Sequence, residues 1–290
     1  MNIQPPGKEK SNRIYFDILK KIEKGDIAGV EPLLKKLEDI EGDTARIDDT
    51  RGTLAFFRKN YTAAENYYKK AITKSPNNQK YQLNLGNLYM GLEKWDKAAE
   101  TYKSLIDKHP NYFPAINNLA MSQVRLTHYD TALTTIAKLK DLNPNWPDSY
   151  KMEAIVFIKK EQYEKALISA DKNIELDNLN PETFVILGEI FNNLERPQDA
   201  VLAFEQAVQL DPDNVDNMTS LAIAYGNIQR FDAALPLLKK VQARDPQNET
   251  ALKGLHLIYK LMGDDKKAAQ YKRRLKRASG NPVMITDFNQ

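Results

Sequence analysis

Residues 85–110, LGNLYMGLEKWDKAAETYKSLIDKHP, decide the fold. Leu85, Gly86 and Tyr89 fall on one face at helical spacing, and Ala98, Tyr102 and Leu105 fall on one face of the segment that follows. The short connector Gly91-Leu92-Glu93-Lys94 separates the two, and Lys108-His109-Pro110-Asn111 ends the second, since proline cannot continue a helix. The stretch therefore reads as a helical hairpin. Its marks return at a constant step. Closing prolines stand at Pro76, Pro110, Pro144, Pro212 and Pro246, with Asn178 in the gap, all at multiples of 34 residues. An alanine column runs unbroken through Ala64, Ala98, Ala132, Ala166, Ala200, Ala234 and Ala268.

Two further columns explain why the period exists. Three residues before the alanine stands an aromatic in Tyr61, Trp95, Tyr129, Tyr163 and Phe231, replaced by Pro197 and Asp265. A small residue recurs at Gly52, Gly86, Ala120, Ala154, Gly188 and Ala222 and gives way to His256. Antiparallel helices approach closely only where small side chains face each other, and a bulky neighbour then fills the groove beside the crossing.

These residues resemble the tetratricopeptide repeat (TPR), whose consensus has Leu-Gly, an aromatic, Ala, a second aromatic and a closing Pro. Leu85-Gly86, Tyr89, Ala98, Tyr102 and Pro110 match it, as do Leu187-Gly188, Phe191, Ala200, Phe204 and Pro212. The resemblance implies an all-α fold, an α-α superhelix (TPR solenoid) of about eight hairpins. Seven units are expected, at 45–78, 79–112, 113–146, 147–180, 181–214, 215–248 and 249–282. Before them, residues 11–44 read as a degenerate hairpin, with helices through Ile14 to Glu23 and Ile27 to Ile40 broken at Gly25-Asp26, and Val30 in the alanine column. Residues 1–10 read as a flexible N-terminal segment and 283–290 as a C-terminal tail. Terminal repeats lack one neighbour, which accounts for the weak first unit and for His256 and Asp265.

Composition narrows the function classes. The 42 basic and 39 acidic side chains leave a net +3, so no global charge draws the chain to nucleic acid or an anionic membrane. Cysteine is absent, which removes disulfides, thiolate metal sites and a cysteine nucleophile. No run approaches the roughly 20 apolar residues that span a bilayer, so no membrane insertion is expected. The polar start Met1 to Lys10 lacks the apolar core of a secretory signal, and a cytoplasmic protein is expected, with a periplasmic or anchored one left open should a leader have been trimmed. No phosphate loop, nucleophile elbow or paired metal-ligand motif occurs. His109, His128 and His256 lie in separate stretches, and Glu153 and Glu189 sit one per helix. Neither an enzyme nor a cofactor is expected.

In the TPR family the first helix of each repeat lines an inner wall on which segments of partner proteins lie. The resemblance places Lys80, Asn84, Asn87, Asn117, Asn118, Met121 and Arg125 on that wall, and further along Met152, Ile155, Ile158, Val185, Ile186 and Ile223. Asparagine costs about half a kcal/mol against alanine in a helix, so four of them need a reason. An amide both donates and accepts, and can clamp the backbone of an extended peptide; solvated polar residues are the plainer alternative. The apolar set is open to a partner or is consumed in packing the first helices together. The family's clamp for chaperone C-termini is incomplete: Asn87 and Asn118 match two places, but Leu83, Asp148 and Met152 stand where lysines and an arginine belong.

The last helix ends in a basic patch of Lys272, Arg273, Arg274, Lys276 and Arg277, suited to an acidic partner or to a solvent-facing cap at a helix C-terminus. The apolar run Val283 to Thr286 could fold onto that cap or reach a neighbouring molecule. The expected function is a scaffold, adaptor or co-chaperone holding a protein or peptide ligand in the inner groove. The alternative is a homo-oligomeric platform, and nucleic-acid binding through the basic end is the weakest reading.

Overall fold

The computed structural model describes residues 6–279; the tail 283–290 and residues 1–5 of the N-terminal segment lie outside the described residues. Among the described residues the regular elements are sixteen α-helices, which pair into the expected hairpins. The chain divides into two compact units on either side of the Pro144–Asn145 bond. The first holds α1 (Pro6–Glu23), α2 (Val30–Glu41), α3 (Ala45–Phe57), α4 (Tyr61–Lys74), α5 (Gln79–Gly91), α6 (Trp95–Lys108), α7 (Phe113–Arg125) and α8 (Tyr129–Leu142). The second holds α9 (Pro147–Lys159), α10 (Tyr163–Leu176), α11 (Pro181–Asn193), α12 (Pro197–Leu210), α13 (Val215–Asn227), α14 (Phe231–Arg244), α15 (Glu249–Leu261) and α16 (Asp265–Ala278). Helix α1 starts at Pro6, ahead of the Ile14 that begins its apolar pattern, and Lys8, Glu9 and Lys10 in this extension are exposed.

Each hairpin is closed by the same device. Lys59, Glu93, Thr127, Glu161, Glu195 and Gln229 have φ between 55° and 61°, and Gly263 has φ 74°. These seven positions are again 34 residues apart. At Glu93 the backbone N–H donates to Met90 O at 2.9 Å and that of Lys94 to Tyr89 O at 2.9 Å, a Schellman closure that satisfies the last carbonyls of the first helix. Six of the seven sites carry a side chain where glycine would be free of strain. Between hairpins the chain restarts through capping asparagines: Asn78, Asn180, Asn214 and Asn248 each accept a backbone N–H of the first helical turn.

The columns meet inside the hairpins. A Cβ placed on Gly52 would sit 2.7 Å from the Tyr68 ring, and one on Gly188 would sit 2.6 Å from Phe204. Gly86 faces Tyr102 in the same way. Where the small residue is alanine, the residue 16 further on is smaller: Ile136 for Ala120, Ala170 for Ala154, Leu238 for Ala222. Size is thus conserved across each crossing, as close packing demands. The alanine column is buried throughout, from Ala64 to Ala268. In the first unit Tyr68, Leu85, Tyr89, Tyr102 and Leu105 build one continuous core, and Ile18, Val30, Leu34, Leu37, Ile47 and Leu54 seat the first hairpin on α3.

Candidate functional site

The exposed and half-buried faces of α3, α5 and α7 carry a polar network, built from the inward positions of the repeat. Its anchor is Asp49 on α3, only 2% exposed. Asn84 on α5 donates its amide to Asp49 Oδ1 at 2.6 Å, and Lys80 Nζ stands 3.0 Å from Asp49 Oδ2. Lys80 also donates to the Tyr15 hydroxyl of α1 at 2.5 Å and lies over that ring. Burial works against the Lys80 ammonium, but the Asp49 carboxylate and the Tyr15 hydroxyl outweigh it, and the net pKa shift is upward. The second focus is Tyr102 on α6, fully buried beneath α5 and α7. Its hydroxyl donates to Asn87 Oδ1 at 2.6 Å. Asn118 on α7 donates to the same Asn87 oxygen at 2.8 Å and to the Tyr102 hydroxyl at 3.3 Å, while Asn117 donates to Asn118 Oδ1 at 3.3 Å. Burial pushes the Tyr102 hydroxyl well above its ordinary range, with Asn118 opposing, so it stays a donor at any physiological pH.

The structure therefore groups the sequence-predicted residues into two knots, Lys80 with Asn84 at Asp49, and Asn87 with Asn117 and Asn118 at Tyr102. Asn84, Asn87 and Asn118 tie one first helix to its neighbour, and Asn117 is held within α7 by Asn118. The ties leave Asn84 Oδ1, Asn87 Nδ2 and Asn117 Oδ1 without a hydrogen-bond partner among the described residues. Asn87 is exposed and Asn84 and Asn117 are half-buried, so two acceptors and a donor stay available on α5 and α7. Met121 is 37% exposed beside them, and Arg125 stacks 5.7 Å over the Trp95 ring.

Of the two readings left open for the apolar set, burial selects packing over a partner surface at Met152 and Ile186. Met152 and Ile186, at 7% and 6% exposure, are core residues. Ile186 packs with Ala154, Ala166, Ala170 and Ile190, and Ile155 lies half-buried against that cluster. None of the three forms an exposed apolar stripe. In the basic patch Lys272, Arg273, Lys276 and Arg277 are exposed, whereas Arg274 donates to Pro246 O at 3.1 Å and covers the Tyr271 ring.

Asp49, Tyr102 and Tyr15 were missed in the reading of inward positions. A signal existed for two of them: stepping Asn117 back along its own column gives Leu83, Asp49 and Tyr15. No group of three His, Asp or Glu side chains suited to a metal occurs among the described residues. Ser169 donates to Glu153 at 2.7 Å, and His256 Nδ1 lies 2.9 Å from Ala268 O, both within hairpins. No described helix is long and apolar enough to cross a membrane.

A family profile described as tetratricopeptide repeat matches residues 58–123 and 194–257. No curated protein sequence matches the chain. Among solved structures it is similar to a tetratricopeptide-repeat protein from Parabacteroides merdae, with 17% identity, 83% of this chain and 94% of that one covered, and a TM-score of 0.67. PilF of Pseudomonas aeruginosa aligns with 16% identity over 73% of this chain and 97% of its own, at a TM-score of 0.62. YrrB, described as a TPR protein with an unusual peptide-binding site, aligns with 21% identity over 63% of this chain and 95% of its own, at 0.51. At these identities the likeness is one of fold.

Proposed function

Since the chain belongs to the tetratricopeptide-repeat family, a fold of protein–protein interaction scaffolds, we propose that it holds an extended segment of a partner protein against the α5–α7 face of its first unit. One observation carries the reading: Asn84, Asn87 and Asn117 are each fixed by one internal hydrogen bond or more and keep an unused amide group available. A peptide backbone offers the complementary donors and acceptors at every residue, so such a row grips an extended chain with little regard to its sequence. Preorganisation matters here, because amides already held by Asp49 and Tyr102 lose little rotamer freedom on binding. Met121 supplies an adaptable apolar contact and Arg125 a cation at the end of the row. The similarity to YrrB, a protein with a peptide-binding site, is consistent with this use of the fold.

The role is that of an adaptor or co-chaperone of the cytoplasm. Affinity capture with the full chain, identification of the partner by mass spectrometry and titration of the minimal partner segment test it. Asn84→Ala with Asn117→Ala should weaken binding at least about tenfold, the equivalent of about 1.4 kcal/mol. Unchanged affinity in a folded double variant would refute the α5–α7 site.

A further inference from the structure

The second unit carries a charge division that the peptide site does not use. Residues 145–238 hold seven basic and sixteen acidic side chains, a net −9, and residues 239–279 hold twelve basic and four acidic, a net +8. The imbalance is concentrated on one edge, where α10, α12, α14 and α16 end and where α11, α13 and α15 begin. Along that edge α14 and α16 send cations into the loop that precedes their own hairpin. Arg244 donates to Asp213 Oδ1 at 2.5 Å, Lys240 to Pro212 O at 3.4 Å and Arg274 to Pro246 O at 3.1 Å. One step earlier, α12 has Gln206 and Leu210 in place of Lys240 and Arg244. The end of α10, with Asp171, and the loop that follows it, with Asp177, therefore receive no cation from α12. At the far end Arg273, Lys276 and Arg277 of α16 are exposed, with no acidic residue in the last three turns of the helix.

We propose that the second unit pairs with a second copy of itself along this edge, the basic end at α16 of one copy facing the acidic stretch at α10–α13 of the other. The occupant follows from complementarity: the cations left over at one end match the acids left uncompensated at the other. Because both halves lie on one edge of one unit, a two-fold apposition uses each half once per copy, makes two identical contacts and closes. Burial and the adjacent Glu175 carboxylate raise the Asp171 carboxyl above its ordinary value, with Arg196 opposing, as expected of acids short of counter-charge. Exposed charge pairs are individually weak and screened by salt, so the pairing is a reversible, concentration-dependent equilibrium.

Sedimentation velocity of the full chain at about 50 and about 500 mM salt, which spans strong and weak screening, tests the proposal. At low salt a species of twice the 33.2 kDa chain mass should grow with concentration, and its dissociation constant should rise at least about tenfold at high salt. Arg273→Glu with Lys276→Glu and Arg277→Glu should be monomeric, as should Asp171→Lys with Asp211→Lys and Asp216→Lys. An equimolar mixture of the two variants should dimerise, since each reversed half then faces the other. A monomeric parent at low salt, association indifferent to salt, or a mixture that stays monomeric would each overturn the pairing. A monomeric parent whose α16 end instead retains a polyglutamate peptide or a DNA duplex would assign those cations to an acidic partner and overturn it too.

Discussion

Gly188→Ala isolates the packing rule that sets the repeat. A Cβ at this position would meet Phe204 Cζ at 2.6 Å and Cε1 and Cε2 at 2.7 Å, against the ~3.5–4.0 Å of ordinary carbon contacts. Phe204 is buried among Ala200, Val201 and Leu221, so its ring has nowhere to turn. Helices α11 and α12 must part by about 1 Å, an overpacking that costs about 1–3 kcal/mol. Alanine returns at most about 1 kcal/mol of helix propensity over glycine, leaving a net loss of roughly 1–2 kcal/mol. For a unit of this size that lowers the melting temperature by about 2–8 °C. Gly188→Ala with Phe204→Leu recreates the pairing of Ala222 with Leu238 and should recover part of the loss. Denaturant unfolding of the parent, both single variants and the double variant gives the coupling, expected at about 1–3 kcal/mol. A Gly188→Ala chain as stable as the parent, with no coupling to position 204, would refute the account of the small column.

Other consequences follow from the same geometry. Glu93→Gly and Glu161→Gly, at φ 55° and 56°, should each stabilise by about 0.5–1 kcal/mol in thermal unfolding, the strain of a left-handed side chain being relieved. Met152→Ala should cost about 2–5 kcal/mol, as for a buried core residue, and leave partner binding intact when measured on folded protein. The first unit should lose stability in alkali. Tyr68 is raised from 10.0 to about 12 by burial and by Asp49, with the Thr53 hydroxyl opposing, and Lys80 is raised above 10.5, so both bind protons more tightly folded than unfolded. Their contribution is complete below about pH 10 and fades as pH climbs through the folded values, so melting temperatures should fall steadily above pH 10. A flat profile there would contradict the network at Asp49.

Much of this fold is legible in the sequence because packing at a helix crossing admits few side chains. Ala64 to Ala268 and the Gly52, Gly86 and Gly188 positions announce both the period and the crossing. The hairpin closures were harder to read, since glycine marks only Gly25 and Gly263, and Lys59, Glu93, Thr127, Glu161, Glu195 and Gln229 hide a left-handed backbone behind ordinary side chains. The Schellman hydrogen bonds outweigh the local strain there. Of the candidate site, the asparagine positions could be placed on the inner face, but their mutual ties could not, because Asn87, Tyr102 and Asn118 come together only when two hairpins stack. For Met152 and Ile186 the sequence left a partner surface and core packing both open, for a related reason. An inward register position is exposed only if neighbouring first helices leave room, and an apolar side chain there draws them closed.

Titration calorimetry of the captured partner segment against the parent and against Asn84→Ala with Asn117→Ala, each first shown to melt cooperatively, tests the central claim most directly. The account predicts a dissociation constant raised at least about tenfold with helicity unchanged. Equal affinity for both proteins would place the partner elsewhere on the molecule and contradict it.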